Sequence, residues 1–584
     1  MESANTAVGA AAAGGRSRPL YRTCTETGLV FHKSGETLMK ANAVAAVVFL
    51  AIGGVLGLLV ALTRWPAVQI LDAAMFYQVL TAHGIIMLLV WIIFFEIALL
   101  YFCSSVLLRV RLVTPRLAWA AYAMMVIGAL VTTVAIIQGG SSVMMTSYVP
   151  MPAAPHFYLG LILFAVGALI GVGIFFATLV TAKDEGTYQG SMPLVTFGAL
   201  TAAILAVFTI ASGAIILVPT FLWSIGYIND IDPLMYRLLW WGMGHTSQQI
   251  NVAAQVAIWY AIAAIVFGAK PMSEKVSRGA FLLYILFISI ASAHHLLVDP
   301  GIGTEWKIFN TSYAMYLAVL ASLIHGLTVP GAIEVSQRRK GLNRGLFEWL
   351  RKAPWGNPVF SGMFLSLVGF GFLGGISGVV MGAEQINFLM HNTLYVPGHF
   401  HATVVLGTTL AFMAMSFWLV PVLFRRKLVM PRLASWTPYL FGIGTALQSF
   451  FMMGAGTMGV SRRHWDMGFA GSAFEWAYPG VAYTMMALNG VSAIIAVTGG
   501  AAFVLIVVGT ILFGKPSGVE ANYTETRPEP LKRPVADAIG THGDIGAKGF
   551  AAPGTFMLAM FLLLVFVVYY FVNYGYLASV WKFS

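Results

Sequence analysis

The sequence predicts an all-α protein, a polytopic membrane bundle of about 13 transmembrane helices, and two observations support this. Of the 584 residues, 59% are hydrophobic and only 9% are charged, a balance that ordinary water-soluble domains do not reach. The apolar residues also form long runs, and a helix needs about 20 of them to cross the hydrocarbon core of a bilayer. A membrane protein is therefore the class that fits.

The predicted spans follow one another with short polar connections. They cover 41–63, 72–102, 117–138, 157–181, 193–218, 233–268, 279–298, 306–333, 359–381, 393–421, 437–460, 483–513 and 554–578. The residues before the first span lack the apolar core of a cleavable signal peptide. We divide the chain into a cytoplasmic N-terminal tail (1–40), a core of twelve helices (41–513), a polar cytoplasmic linker (514–549) and an additional C-terminal transmembrane helix (550–584).

The net charge of +11 follows the topology of the chain. With a cytoplasmic N-terminus, most lysines and arginines fall in cytoplasmic connections, as the positive-inside rule requires. Nucleic-acid binding is not needed to explain the charge. The two cysteines, Cys24 and Cys103, are too few for an iron–sulfur site, so electrons must enter through another kind of centre or another subunit.

The strongest local motif is Val396–His401, which opens a predicted helix and contains His399 and His401. Residues two apart on an α-helix are rotated by about 200°, so these imidazoles point to opposite faces. Imidazole is a common axial ligand of haem iron, and one helix could hold a planar cofactor on each side. His83, in the second span, is the available partner for a haem with two histidine ligands.

A second motif is the pair His294 and His295, at the end of the seventh span. Neighbouring residues on a regular helix diverge by about 100°, so both bind one metal only near a helix end or beside a third ligand. His245, after Trp240, Trp241 and Gly242, supplies that ligand. Three imidazoles suit copper, although zinc or iron could use the same atoms, and buried histidines can also serve only as packing or hydrogen-bonding residues.

With these motifs the chain resembles subunit I of the haem-copper oxidase superfamily, and specifically the B-type branch that includes the ba-type cytochrome c oxidases. The resemblance spans nearly the whole chain. Its further motifs are Asp232-Pro233, Asp299-Pro300-Gly301-Ile302, Trp306-Lys307, Pro354-Trp355-Gly356-Asn357-Pro358, His391-Asn392-Thr393 and Arg462-Arg463.

The resemblance implies roles for individual residues. His83 and His401 would bind a low-spin haem, expected to be haem b, and His399 a high-spin haem of the b or a type. His245, His294 and His295 would bind one copper ion. Arg462 and Arg463 match a pair that grips haem propionates, as guanidinium groups can, although an ordinary charge cluster in an external loop would look the same. His391 would act at the propionates or in proton exit.

The resemblance also implies a location and a partner. We expect a multi-pass protein of a bacterial or archaeal cytoplasmic (inner) membrane. The sequence has neither a cytochrome c motif nor a dinuclear copper thiolate site. We therefore expect a second subunit whose periplasmic domain, of the cytochrome c or dinuclear copper type, admits the electrons.

The chain departs from the oxidases of this branch at Gln249, one helical turn after His245. There the oxidases carry a tyrosine, joined covalently to the copper-binding histidine, which supplies one electron and one proton when dioxygen is split. Glutamine cannot be oxidised in this way. Gln249 could instead orient a water molecule or bound substrate, or only pack between helices.

Nitric oxide reduction needs no tyrosyl donor, because coupling two molecules to nitrous oxide takes only two electrons. We therefore favour nitric oxide over oxygen as the substrate. The alternative is a terminal cytochrome c or quinol oxidase that reduces oxygen to water, with or without proton pumping. By resemblance, Tyr260 belongs to a proton route, which Ser322, His325 and Thr328 could extend, although His325 could equally be a packing residue.

Two other classes fit the histidines less well. A cytochrome b of a quinol dehydrogenase normally shows paired histidines separated by more than ten residues on each of two helices. A secondary transporter would be expected to show inverted repeats or helices broken by glycine or proline. Neither pattern is present in the sequence.

Overall fold

The computed structural model describes residues 20–289, 291–517, 523–524 and 551–580. Residues 1–19 of the predicted N-terminal tail, most of the predicted linker 514–549, and residues 581–584 lie outside this part. Within it, eleven helices are long and apolar enough to cross a membrane. The prediction of an all-α polytopic bundle is thereby confirmed.

Thirteen helices, α1 to α13, form the bundle of the described residues. They are α1 Lys33–Thr63, α2 Ala73–Val106, α3 Pro115–Ile137, α4 Pro155–Asp184, α5 Leu194–Ser224, α6 Pro233–Phe267, α7 Glu274–Leu283, α8 Thr304–Arg339, α9 Pro358–Gly382, α10 Tyr395–Phe424, α11 Pro431–Thr457, α12 Gly480–Phe513 and α13 Pro553–Val580. Two short helices, Glu348–Arg351 and Glu384–Met390, lie in the connections.

Two of the predicted spans are not among the eleven. The predicted span 279–298 is divided between α7, a π-helical segment Tyr284–Ile288 and a 3₁₀ segment Ala291–His295. The predicted span 437–460 corresponds to α11, which is continuous over 27 residues but carries more polar side chains. Thirteen apolar segments are therefore present, although one of them is not a regular helix.

The chain enters the bundle through a small hairpin. Strands β1 Tyr21–Thr23 and β2 Val30–His32 pair antiparallel, and α1 begins directly after β2. The first helix therefore starts at Lys33, eight residues before the predicted start, because its first two turns are polar. A buried ion pair between Arg22 and Glu36, 2.7 Å apart, holds the hairpin against α1.

Small residues let the helices approach closely. A Cβ atom added at Gly128 of α3 would lie 2.5 Å from the backbone nitrogen of Phe164 in α4. At Gly499 of α12 it would lie 2.8 Å from the Cα of Phe441 in α11. Because lipid is as apolar as the helix surfaces, such close backbone packing is a main source of association in membranes.

The C-terminal helix α13 is fixed to α8 by the carboxylate of Glu334. This carboxylate accepts hydrogen bonds from the backbone nitrogens of Gly554 (3.0 Å) and Thr555 (2.7 Å), where α13 begins. Arg338 donates to it over 2.7 Å. A helix N-terminus has unsatisfied N–H groups and a partial positive charge, so the carboxylate stabilises the docked helix.

Candidate functional site

Three imidazoles converge between α6 and the 3₁₀ segment Ala291–His295. One ring nitrogen each of His245, His294 and His295 lies within 4.8 Å of the other two. His245 Nδ1 and His295 Nε2 are 3.1 Å apart. The adjacent pair converges because it lies where the regular helix has given way to the tighter 3₁₀ turn, as the sequence predicted for a metal site.

Aromatic packing holds these rings in place. The indole of Trp241 stacks on the imidazole of His295, with ring centres 3.8 Å apart and planes at 8°. Trp240 fills the space beside Gly244, where an added Cβ atom would clash with the indole. The set contains only imidazole ligands, which suits copper and also permits zinc or iron. Copper remains the prediction, and the donor atoms fit it.

The side chain of Gln249 lies beside the first of these ligands. Its amide nitrogen is 3.4 Å from Nε2 of His245, the ring nitrogen opposite to the one that faces His295. Amide nitrogen and oxygen exchange places when the side chain flips. The amide oxygen can therefore accept a hydrogen bond from Nε2–H and leave Nδ1 free for a metal, as outer-shell partners of metal ligands commonly do.

A large cavity separates His83 on α2 from His401 on α10. It has a volume of about 510 Å³, and both imidazoles line it. His83 Nδ1 donates to the carbonyl oxygen of Gly53 (3.0 Å), and His401 Nδ1 donates to that of Pro397 (2.7 Å). Each ring thus keeps Nε2 for an axial bond. The cavity and the two imidazoles fit the predicted haem.

Three arginines line one end of the same cavity: Arg64, Arg462 and Arg463. Burial lowers the pKa of Arg462 to about 10, and the neighbouring charges of Arg463, Arg237 and Arg64 act in the same direction. Anionic groups would relieve this repulsion. Haem propionates are such groups, so the environment of Arg462 and Arg463 agrees with their predicted role.

Arg64 was not recognised from the sequence as part of the site. It follows α1, and its guanidinium donates to the carbonyl oxygens of Arg462 (2.7 Å) and His464 (3.3 Å). It therefore holds the loop that carries the arginine pair. A lone arginine after an apolar helix gives no sequence signal for such a contact.

His399 lies on the other face of α10 and does not line the large cavity. The hydroxyl of Ser377 on α9 donates to the carbonyl oxygen of Leu373. The serine oxygen can then accept from His399 Nδ1–H, 2.9 Å away, which leaves Nε2 for an iron. Gly378 makes room, since a Cβ atom there would lie 2.8 Å from His399 Cε1.

His391 lies in the connection before α10, close to Asp299 and the arginines. Its Nε2 is 3.9 Å from Asp299 Oδ1, and Arg237 pairs with the other carboxylate oxygen at 2.9 Å. Burial, followed by the charges of Arg462, Arg237 and Arg463, lowers the pKa of His391 to about 4. The imidazole is therefore neutral at pH 7, and its predicted part at the propionates or in proton exit remains a prediction.

Tyr260 lies in a buried hydroxyl and imidazole cluster farther along α6. Its hydroxyl donates to Ser277 Oγ (3.0 Å) and lies 3.0 Å from His325 Nδ1. Tyr284 and Ser322 form a second pair at 3.0 Å, with the tyrosine ring 5.5 Å from the ring of His325. The structure thus brings together most of the residues predicted for a proton route.

The fold and the site define a membrane-embedded helical protein with buried imidazoles that are arranged to hold a metal ion and haem. The chain belongs to the haem-copper oxidase subunit I family, because residues 37–498 match the family model described as cytochrome c and quinol oxidase polypeptide I.

Individual relatives agree with this assignment. Cytochrome c oxidase subunit 1 of Thermus thermophilus is 32% identical over 393 residues, which is 66% of this chain and 69% of that protein. Quinol oxidase subunit 1 of Bacillus subtilis is 23% identical over 446 residues, 73% of this chain and 65% of that protein. A heme-copper terminal oxidase dimer solved by cryo-EM superposes with a TM-score of 0.79 at 25% identity, covering 93% of this chain and 92% of that one.

Proposed function

We propose that this chain is the catalytic subunit of a respiratory haem-copper oxidoreductase of the B-type branch, and that it reduces nitric oxide to nitrous oxide. In this proposal His83 and His401 bind a low-spin haem b and His399 binds a high-spin haem of the b or a type. His245, His294 and His295 bind the copper ion. When bound, the haems and copper supply the electrons that reduce the gas.

The contact between Gln249 and His245 is the observation that carries the choice of gas. The amide lies 3.4 Å from Nε2 of His245, at the position where the resemblance to the B-type oxidases implies a tyrosine. It can hold the imidazole in one tautomer, but it cannot give up an electron. Splitting dioxygen in one step takes four electrons, whereas coupling two nitric oxide molecules takes two. The reaction with the smaller electron demand therefore fits this residue.

Oxygen reduction is the second candidate, and the relatives favour it. The two relatives described above are named cytochrome c oxidase and quinol oxidase subunits, and the superposed structure is named a terminal oxidase. These names support oxygen as the substrate more directly than nitric oxide. Under this candidate the missing electron must come from a group other than Gln249.

The buried cluster around Tyr260 supports a proton route from the cytoplasmic side. Ser277, Tyr260 and His325 are joined by contacts of 3.0 Å, and Tyr284 with Ser322 continues toward the copper ligands. Hydroxyl and imidazole groups can pass protons by exchanging donor and acceptor roles. His325 in this proposal is part of the route and not only a packing residue.

The remaining predictions belong to the same proposal. The N-terminus lies in the cytoplasm, residues 41–513 form the twelve-helix haem-copper core, and 550–584 add a helix to it. Electrons arrive through a second subunit with a periplasmic domain of the cytochrome c or dinuclear copper type. The related proteins are named subunit 1, which is consistent with such a partner.

Turnover measurements on the purified complex distinguish nitric oxide from oxygen as the substrate. Supplied with a reduced cytochrome or quinol, it should consume nitric oxide and release nitrous oxide faster than it consumes oxygen. The variant Gln249→Leu keeps much of the volume and loses the amide, so it should keep copper and haem but lose nitric oxide turnover. Rapid oxygen turnover with negligible nitric oxide turnover in the unmodified complex would overturn the proposal in favour of the oxidase.

A further inference from the structure

Glu96 differs from the other buried glutamates in the described part of the chain. Glu36 pairs with Arg22, Glu334 with Arg338 and Glu348 with Lys352, at distances of 2.7–2.9 Å. Glu96 lies in the middle of α2 and is only 7% exposed. Its Oε1 atom has no hydrogen-bond partner among the described atoms. A carboxyl group in a membrane span is costly to bury, and no contact of Oε1 compensates here.

Glu96 lines a cavity of about 140 Å³ between α2, α4, α5 and α6. Most of the lining is apolar, and Cys103 is the other titratable residue among those that line it. One water needs roughly 10–15 Å³ of such space, so the cavity has room for several waters. An unpartnered carboxyl group in such a space is the group that would draw water into it.

The same cavity reaches the copper end of α6. Its wall includes Gly244, the residue before the copper ligand His245, together with Ser247, Gln248 and Asn251. These side chains form a hydrogen-bonded strip along the helix. Asn251 donates to Gln248 (3.2 Å), Gln248 donates to Ser247 (3.2 Å), and Ser247 donates to the carbonyl oxygen of Gly244 (3.0 Å). Polar groups thus line the cavity where it approaches the site.

We propose that Glu96 carries protons to the reaction site through water in this cavity. Its O–H bond breaks, the proton passes along the water beside the α6 strip, and it is consumed when the oxygen of the gas becomes water. The carboxylate is then reprotonated from the cytoplasmic side. No electron moves in this step. The inference rests on the proposed function only in that either gas consumes protons, and it is separate from the Tyr260 cluster, which does not line the cavity.

The variant Glu96→Gln tests this, because it keeps the shape of the side chain and removes its transferable proton. Haem and copper content should be unchanged, while turnover falls about 100-fold or more, since a positioned proton donor contributes about 10²–10⁴-fold. Glu96→Asp should restore part of the turnover. Cys103→Ala, which alters the same cavity, should behave like the unmodified protein.

Infrared difference spectra of reduced and oxidised protein give a second readout that does not depend on turnover. A carboxyl C=O band that shifts in D2O should appear in the unmodified protein and in Cys103→Ala, and it should be absent from Glu96→Gln. Unchanged turnover together with an unchanged band in Glu96→Gln would overturn the proposal. If the complex reduces only oxygen, the nitric oxide assignment fails while the same comparison still decides the role of Glu96.

Discussion

The two haem-ligand regions differ in what holds each imidazole. Around the large cavity, His83 and His401 both donate to backbone carbonyl oxygens, at 3.0 and 2.7 Å. On the other face of α10, His399 donates to the side-chain oxygen of Ser377. Backbone acceptors come with the fold, whereas a hydroxyl is replaceable and can be tuned by substitution. The first arrangement suits an electron-transferring haem with two fixed ligands. The second suits a haem iron whose reactivity is adjusted through the hydrogen bond to its histidine ligand.

The largest effect is expected from His245→Ala, which should affect the proposed copper site and leave the proposed low-spin haem site intact. Removing one of three ligands should reduce copper to near zero per chain and abolish gas turnover. The low-spin haem spectrum should persist, because His83 and His401 are untouched. Metal analysis with optical spectroscopy measures both, and His156→Ala, an exposed histidine bonded to Gln138, is the control. Retention of full copper content would contradict the assignment of this ligand.

Two glycine substitutions should show that the two proposed haem sites can be disturbed independently of each other. A Cβ atom at Gly57 would lie 2.7 Å from His83 Cε1, and one at Gly378 would lie 2.8 Å from His399 Cε1. Overpacking costs about 1–3 kcal/mol, which corresponds to about ten-fold weaker haem binding. Gly57→Ala should therefore lower only the low-spin haem and Gly378→Ala only the high-spin haem, as measured by haem extraction and reduced spectra.

A matched control for the glycine substitutions lies on α4, away from the large cavity. A Cβ atom at Gly173 meets nothing within 4 Å and Gly173 does not line that cavity, so Gly173→Ala should leave both haems in place. Equal loss of both haems in Gly57→Ala and Gly378→Ala would show that the two regions are not independent.

A smaller effect is expected from Ser377→Ala, which removes the hydroxyl acceptor of His399. The iron–histidine bond should weaken, because the imidazole loses the partner that makes it a stronger ligand. Resonance Raman spectra of the reduced high-spin haem should show a lower iron–histidine stretching frequency. Ser416→Ala is the control, since Ser416 is a buried serine that donates to the carbonyl oxygen of Phe412 in its own helix. An unshifted frequency would mean that Ser377 only fills space.

The smallest effect on the cofactors is expected at the contact between α8 and α13. Glu334→Gln weakens hydrogen bonds to a charged acceptor, each worth about 1.5–3 kcal/mol, so thermal unfolding should begin a few degrees lower. Both haem spectra should be unchanged. Glu185→Gln, at an exposed ion pair with Arg111, should change stability much less. A loss of high-spin haem in Glu334→Gln would instead tie α13 to that region.

The sequence predicted the helices and the orientation of one histidine pair because both depend on local spacing, while the ligand sets themselves stay a prediction. Apolar runs set the spans, and the two-residue spacing of His399 and His401 fixed their opposite faces. The contacts of Arg64 and Ser377 were not predictable, because they arise where distant segments meet. The sequence also did not reveal that the predicted span 279–298 departs from a regular α-helix. A π-helical or 3₁₀ segment can carry the same run of apolar residues as an α-helix.

The position of the large cavity bears on how the protein is assembled. Val55 and Leu505 line it and are themselves 57% and 61% exposed, so one wall of the cavity reaches the lipid-facing surface. A haem dissolved in the bilayer can therefore meet His83 and His401 from the side, without crossing water. In biosynthetic terms, this haem can be loaded after the helices have been inserted, and its delivery does not require the chain to unfold.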